Sequence, residues 1–261
     1  MQKPPMLRHP FRILGHGLAF GGITIAAAID YLVRIRLPGR HRDYSIRALW
    51  LQYWSRWTLR LLHIQVSCTG TPPHRGLLVS NHVGYLDVLV LASQQPAVFI
   101  AKTEVRRWPL IGWLTQCAGT VYITRGKKSD VRRVGDALET VVGSGQVVVL
   151  FPEGTSTNGH EVLPFHASLL APAAELQWPI TAAWVGYEVR EGSVEEDVCY
   201  WRDMSFLPHF LRLMSHCDIQ ARVEYGTPQP AGMDRKEMAR QLRAQITEIA
   251  SRRGFLHPPT R

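Results

Sequence analysis

The sequence predicts an α/β fold in which helices cover a mainly parallel β-sheet, preceded by an N-terminal helical appendage. Strand-like and helix-like runs alternate from residue 77 to residue 252, a pattern typical of parallel sheets with crossover helices. Hydrophobic residues make up 46% of the 261 residues, which is enough to build a large core. Before residue 69 the pattern is different, because apolar and arginine residues recur there at helical spacing.

The first helical segment, residues 13–29, is apolar, rich in Gly and Ala, and carries no formal charge if His16 is neutral. It ends at Asp30, and basic residues flank it on both sides. A membrane-spanning helix needs about 20 apolar residues, so the length is borderline. A buried soluble helix and a signal peptide are alternatives, although the run leads into Asp30-Tyr31 and not into a clear cleavage site. We expect a retained anchor, embedded in a membrane or lying on it, whose basic flanks meet anionic headgroups.

The second helical segment, residues 46–66, is amphipathic. Its Leu, Trp and Tyr residues at helical spacing interleave with Arg47, Arg56 and Arg60. Aromatic and arginine residues suit a membrane interface, and a core-facing helix with a solvated basic edge is the alternative. A Gly- and Pro-containing linker follows at residues 69–75. We therefore predict membrane-associated helices in residues 1–68 and a separate main domain in residues 69–261.

The main domain contains six predicted strands and six predicted helices. Strands are expected at residues 77–80, 97–101, 119–124, 146–151, 179–187 and 219–225. Helices are expected at residues 86–94, 109–117, 129–142, 166–176, 206–214 and 234–252. The last helix begins with Asp234 and Glu237 in capping-box spacing, which indicates a structural role.

The net charge of +9 implies an anionic partner, which would be nucleic acid, an anionic membrane surface or an acidic substrate. No nucleic-acid-binding motif is visible, and basic charge beside an apolar N-terminus fits an anionic membrane surface better. We expect no nucleic-acid partner. The four cysteines lie far apart without a CxxC pair, so they predict reduced thiols. His160 and His166 are too loosely spaced to be metal ligands, and no metal is expected.

A turn between a buried strand and a helix carries His82 and Asp87. On a regular helix these residues would lie about 140° apart. A turn that contains Gly84 can bring them together. A histidine held by a carboxylate is the usual general base for a hydroxyl group. The alternative is that Asp87 caps the following helix and that His82 is a surface residue.

Polar residues also follow three other predicted strands. Lys102, Arg125 and Glu153 each come directly after an apolar run or within two residues of its end. Ligands of α/β sheets gather beyond the carboxyl ends of the strands, so these residues and His82 could share one cleft. Two cations in that cleft would suit a phosphate or another anionic headgroup. For each cation alone, a solvated surface charge is the alternative.

Taken in order, these segments resemble the successive blocks of the 1-acyl-glycerol-3-phosphate acyltransferase family. Asn81-His82 with Asp87, residues 119–125 and residues 151–155 resemble three blocks. Residues 179–180 resemble the fourth block, and residues 101–112 the connecting region, so the match covers residues 75–187. The resemblance implies a membrane-associated O-acyltransferase without a cofactor. It would move an acyl chain from acyl-CoA or acyl-carrier protein to the hydroxyl of a lysolipid, on the cytoplasmic face of a membrane (the inner membrane in a bacterium).

The resemblance also implies roles for individual residues. His82 occupies the position of the base and Asp87 the position that orients it. The positions expected to bind the acceptor are Lys102, Arg125, Glu153, Gly154 and Thr155. No Gly-x-Ser-x-Gly nucleophile elbow occurs, which disfavours a serine hydrolase.

One position departs from the family pattern. Ser156 follows Glu-Gly-Thr where many members carry an arginine, so one phosphate ligand is absent. Because most blocks match, we expect 1-acyl-glycerol-3-phosphate as the acceptor, giving phosphatidic acid. Lyso-ornithine lipid, whose headgroup has no phosphate, is the alternative acceptor. A basic lipid- or nucleic-acid-binding protein without activity is a more distant alternative.

Overall fold

A seven-stranded sheet forms the centre of the protein, with the strand order β1-β7-β6-β2-β5-β3-β4. The computed structural model describes residues 9–124, 128–229 and 232–255. The strands are Gln65–Thr69 (β1), Gly76–Ser80 (β2), Ala97–Lys102 (β3), Val121–Ile123 (β4), Val147–Leu150 (β5), Ile180–Glu188 (β6) and Gln220–Tyr225 (β7). Of the six strand pairs, β6–β7 is antiparallel and the other five are parallel. The predicted α/β class with a mainly parallel sheet is therefore confirmed.

Nine α-helices connect and cover these strands in the described part of the chain. They are Pro10–Tyr31 (α1), Tyr44–Leu61 (α2), Leu86–Gln94 (α3), Ile111–Cys117 (α4), Lys128–Gly143 (α5), Ala171–Glu175 (α6), Val194–Asp197 (α7), Phe206–Leu213 (α8) and Arg235–Arg252 (α9). A π-helical turn, Leu32–Arg36, extends α1. Short 3-10 helices lie at Arg40–Arg42, Thr103–Arg107 and Ala167–Leu170.

The sheet is buried on both faces. One apolar layer, with α2, α3 and α8, includes Leu59, Leu91 and Leu213. The opposite layer, with α9, includes Leu242 and Ile246. All residues of the central strands β2 and β5 are buried, which explains their unbroken apolar runs in the sequence.

The first strand was missed by the sequence analysis. The amphipathic segment was expected to stay helical to residue 66, but α2 ends at Leu61, and Gln65 pairs with Gln220 of β7. β1 is an edge strand with mostly exposed residues, so it lacks the apolar alternation that reveals a strand. The predicted domain boundary after residue 68 thus falls inside β1. The division into a membrane-associated part and a main domain stays a prediction.

The helix expected at residues 166–176 is divided into a 3-10 helix and α6. Pro172 lies in the first turn of α6, where its missing N–H leaves no hydrogen bond unmade. The chain therefore starts a new helix at this point instead of continuing one.

The N-terminal helices present an exposed apolar surface, which we call the outer stripe. On α1 and its extension it consists of Phe11, Leu14, Leu18, Ile25, Ile29, Leu32 and Val33, and on α2 of Leu49, Tyr53 and Trp57. The spacing of three, four or seven residues places them along one side of each helix. The helix Pro10–Arg36 is long and apolar enough to cross a membrane by length and composition.

The inner sides of the same helices contact the main domain. In α1, His16 Nδ1 lies 2.7 Å from the Met214 carbonyl oxygen, and the Phe20 ring lies 5.0 Å from that of Phe210. Near the end of α1, Trp54 Nε1 of α2 donates to Asp30 at 3.0 Å. α1 therefore contacts the rest of the protein in its middle, through His16 and Phe20, and near its end, through Asp30.

Candidate active site

Asn81 extends strand β2 by one residue through its side chain. The Nδ2 group donates to the Val185 carbonyl at 2.9 Å, and Oδ1 accepts from the Val185 N–H at 2.8 Å. The buried amide thereby replaces a backbone pair of the ladder with β6. The main chain can then leave the sheet at residue 82 without an unsatisfied group in β6.

The carboxylate of Asp87, in the first turn of α3, is fully buried and receives four hydrogen bonds. Its Oδ2 accepts from His82 Nδ1 at 2.7 Å and from the N–H groups of Val83 and Gly84 at 2.8 and 3.0 Å. Its Oδ1 accepts from the Tyr187 hydroxyl at 2.7 Å. An ionised carboxylate only accepts, so four donors suit that form and fix its orientation.

The imidazole of His82 is held from two sides. Asp87 binds Nδ1, and the ring stacks on Phe151 with centroids 4.1 Å apart and planes 16° apart. When Nδ1 carries the proton and donates it to the Asp87 carboxylate, the lone pair of the neutral ring lies on Nε2. The side chain keeps 22% of its surface accessible, so the imidazole is partly open to solvent. The predicted pair of His82 and Asp87 is therefore brought together in the geometry of a base and its orienting group.

Glu153 follows β5 and lies beneath the same turn. Its Oε1 accepts from the His82 N–H and its Oε2 from the Leu163 N–H, both at 2.8 Å. Both oxygens of this buried carboxyl are thus used by the main chain. Acceptor binding was the expected role, whereas these contacts favour a role in positioning the backbone of His82.

Burial raises the pKa of Glu153 to about 7, although the two backbone N–H bonds and Arg243 oppose the shift. Because the folded state binds this proton more tightly than the unfolded state does, protonation of Glu153 stabilises the fold. The stabilisation is fully present at pH values below 4.5, the pKa of the carboxyl in the unfolded chain. That contribution, up to about 3 kcal/mol, is lost as the pH rises through about 7.

Thermal unfolding should therefore depend on Glu153 in a pH-dependent way. The Glu153→Gln variant lacks the titration, so its Tm relative to that of the wild type should increase steadily between pH 5 and pH 8. The lost acceptor oxygen lowers the variant's Tm by an amount that does not change with pH. Two Tm curves that stay parallel over this range would contradict the raised pKa.

The remaining predicted acceptor residues lie at the same edge of the sheet. Lys102 is exposed at the end of β3, and Thr155 is exposed two residues after Glu153. Because Val79 pairs with Leu150 and Phe99 with Val149, continuing the register places Lys102 level with Asn81. Only β5 separates their strands, a distance of about 10 Å.

Gly154 has a positive φ of 66°, which suits glycine at this tight turn. The Ser156 hydroxyl donates to the Tyr200 carbonyl. Arg125 lies outside the described residues.

Three contributors to this site were missed by sequence reasoning. Tyr187 binds Asp87 from a strand 100 residues away, and no local pattern marks such a contact. Phe151 lies inside the recognised block of residues 151–155, but the sequence pattern assigned it no role beside His82. The third is a group of rings around the turn, contributed by Tyr85, Trp108, Tyr200, Phe206, His209 and Phe210. In the described part of the chain, no group of three or more His, Cys, Asp or Glu residues could hold a metal ion.

Comparison with known proteins shows what this chain is similar to. A family model described as Acyltransferase matches residues 63–186. The lyso-ornithine lipid O-acyltransferase of Pseudomonas aeruginosa is 32% identical over 94% of this chain and 93% of that protein. The protein of the same name from Rhodobacter capsulatus is 33% identical over 82% of this chain and 79% of that protein. The 1-acyl-sn-glycerol-3-phosphate acyltransferase of Neisseria meningitidis is 31% identical, over 57% of this chain and 62% of that protein.

A solved structure has the same fold. The 1-acyl-sn-glycerophosphate (LPA) acyltransferase PlsC from Thermotoga maritima superposes with a TM-score of 0.62, over 95% of this chain and 97% of that one. At 15% sequence identity the likeness concerns the architecture alone.

Proposed function

This chain belongs to the acyltransferase family that acts on lysolipids and is an O-acyltransferase, and we propose that its acceptor is lyso-ornithine lipid. The observation that carries the proposal is Ser156, which stands where many members of the family have a phosphate-binding arginine. Its hydroxyl is engaged by the Tyr200 carbonyl, so this position offers neither charge nor a free donor to a phosphate. The headgroup of lyso-ornithine lipid instead carries a carboxylate and an ammonium.

The relatives support the same acceptor. Those named lyso-ornithine lipid O-acyltransferases align over 94% and 82% of this chain, whereas the Neisseria meningitidis glycerophosphate enzyme aligns over 57%. The order of the sequence blocks alone favours 1-acyl-glycerol-3-phosphate. That acceptor remains the second candidate, because a relative with that activity in its name is 31% identical over 57% of this chain.

The site supports a direct transfer with His82 as the base. Nε2 removes the proton from the acceptor hydroxyl, whose oxygen attacks the thioester carbonyl of the donor. Asp87, held by three further donors, stabilises the imidazolium that forms. Collapse of the tetrahedral intermediate forms the ester and breaks the C–S bond. The departing thiolate takes up the proton from the imidazolium, so His82 is neutral again and no acyl-enzyme is needed.

We propose acyl-CoA or acyl-carrier protein as the donor, since each presents its acyl chain as a thioester and is acidic. The net charge of +9 favours both. Lys102 and Arg125 remain the proposed partners of the anionic part of the acceptor. Lys102 has the exposure that this role requires.

We further propose that the outer stripe attaches the protein to the cytoplasmic face of a membrane. Contacts of His16 and Phe20 hold α1 against the main domain, and Asp30 ties the end of α1 to α2. This arrangement favours a helix lying in the interface over one that crosses the bilayer. Arginines follow at positions 34, 36, 40 and 42, where anionic headgroups would attract them.

An acceptor panel tests the proposed activity. Purified protein in detergent micelles should acylate lyso-ornithine lipid, with much less turnover of lysophosphatidate, when each is offered with acyl-CoA and with acyl-carrier protein. Quantification of the acylated lipid by mass spectrometry measures both rates. Turnover of lysophosphatidate alone would refute the proposed acceptor and leave the assignment as an O-acyltransferase intact.

Restoring the missing arginine tests the role of Ser156. Ser156→Arg should lower kcat/KM for lyso-ornithine lipid by roughly tenfold or more, because two like charges about 7 Å apart at an effective dielectric constant of about 20 repel each other by about 2 kcal/mol. Its activity on lysophosphatidate should be equal or better. Ser156→Ala is the control, since it removes the bond to Tyr200 without adding charge. An equal loss in both variants would show that the hydroxyl matters and the charge does not.

A further inference from the structure

Three aromatic side chains meet beside the catalytic turn, and we call them the aromatic trio: Trp108, Tyr200 and Phe206. They come from separate parts of the chain, just after the 3-10 helix Thr103–Arg107, just after α7, and at the start of α8. The ring centroids lie 6.2 Å (Trp108–Tyr200), 6.1 Å (Trp108–Phe206) and 6.4 Å (Tyr200–Phe206) apart. All three residues are half-buried. The Tyr200 ring stands nearly perpendicular to the other two, at 83° to Trp108 and 81° to Phe206.

The trio is attached to both the catalytic turn and Ser156. The Tyr200 N–H donates to the Val83 carbonyl at 2.8 Å, and the Tyr200 carbonyl accepts from Ser156. The Tyr200 ring also lies 5.6 Å from the ring of Tyr85, within the same turn as His82. The rings therefore lie next to the position where Ser156 replaces the expected arginine.

A buried layer supports the rings from below. The Tyr85 hydroxyl lies 2.9 Å from Nδ1 of His209, which is fully buried, and the ring of Tyr85 packs on Phe206 with centroids 5.3 Å apart. Burial lowers the pKa of His209 to about 4, so this imidazole is neutral near pH 7. The layer thus fixes the trio without placing a charged imidazole under it.

The open faces of aromatic rings attract cations. An ammonium within about 6 Å of a ring centroid is stabilised by about 0.5–2 kcal/mol. Three centroids that are 6.1–6.4 Å apart can all lie within that distance of one ammonium. Lys102 and Trp108 flank the same short helix, Thr103–Arg107, so a cation for a carboxylate and a ring for an ammonium lie close along the chain.

We propose that Trp108, Tyr200 and Phe206 form a binding site for the ammonium group of a zwitterionic acceptor headgroup, and we call this site the seat. The seat rests on the proposed function, because lyso-ornithine lipid has an ammonium and lysophosphatidate has none. The seat also matches the absence of the arginine at position 156. A phosphate acceptor would need a cation on the protein at this place, whereas serine beside aromatic rings favours an acceptor that itself carries the cation.

A pair of matched acceptors tests the seat. Trp108→Leu and Phe206→Leu would each be assayed with lyso-ornithine lipid and with the same lipid carrying norvaline, which lacks only the side-chain ammonium. KM for lyso-ornithine lipid should rise about 2- to 30-fold in each variant. KM for the norvaline lipid should change less than about twofold, and Trp108→Tyr, which keeps a ring face, should restore most of the affinity. Trp113→Leu, an exposed tryptophan outside the trio, is the control and should change neither KM.

The outcomes separate the seat from the proposed function. If the wild type acylates lyso-ornithine lipid but each variant raises both KM values equally, the rings make only apolar contacts and the seat is refuted, while the proposed acceptor stands. If the wild type does not use lyso-ornithine lipid, both proposals fail together. The Tm of each variant measures folding separately, so that an equal rise of both KM values in a folded variant counts against the seat. The Trp108→Tyr result then decides whether a ring face is required.

Discussion

Replacing His82 with alanine should lower kcat by about 10²–10⁴-fold, the usual effect of removing a general base. The variant keeps the acceptor and donor surfaces but has no group to take the hydroxyl proton. Asp87 retains three of its four donors, from Val83, Gly84 and Tyr187, so the turn should remain folded. Initial rates at saturating acceptor and donor measure the effect.

The matched control is His74→Ala, because His74 is an exposed histidine in the segment between β1 and β2. Its kcat should equal that of the wild type. The two variants should also share the wild-type Tm within a few degrees, which separates a chemical loss from unfolding. An unchanged kcat in His82→Ala would refute the mechanism and leave only the fold and family assignment.

The catalytic turn was predictable because its information is local. His82 and Asp87 lie within one turn, flanked by two apolar runs, and the backbone freedom of Gly84 lies between them. Nearby residues thus define both the chemistry and the geometry. The same holds for α3, whose predicted limits at residues 86 and 94 agree with the structure.

The parts that the sequence could not predict depend on contacts between distant segments. Tyr187 reaches Asp87 from β6, and β1 becomes a strand only because β7 pairs with it 155 residues later. The aromatic trio likewise joins three segments whose rings have no common spacing. Glu153 was recognised by its motif, but the motif could not show that both oxygens bind the main chain.

Charged substitutions in the outer stripe should release the protein from membranes. Leu18, Leu49 and Trp57 have exposed fractions of 71%, 54% and 46%, so replacing all three with Glu leaves the core intact. Each apolar side chain removed from the interface costs about 1.5–3 kcal/mol, and the triple variant should lose about 10³-fold or more in partitioning. Co-sedimentation with vesicles of anionic lipid at several lipid concentrations measures this partition.

The control must carry the same change in charge on another surface. Lys236→Glu with Ala244→Glu on α9 also lowers the net charge by three, and both positions are exposed. It should retain most of the binding, since α9 covers the opposite face of the sheet from α2.

Deleting residues 1–66 is a poorer test than these substitutions, because the deletion removes Leu59 and Leu62 from the core as well as part of β1. If the triple variant sediments like the wild type while the α9 control behaves as expected, the outer stripe does not attach the protein to the membrane.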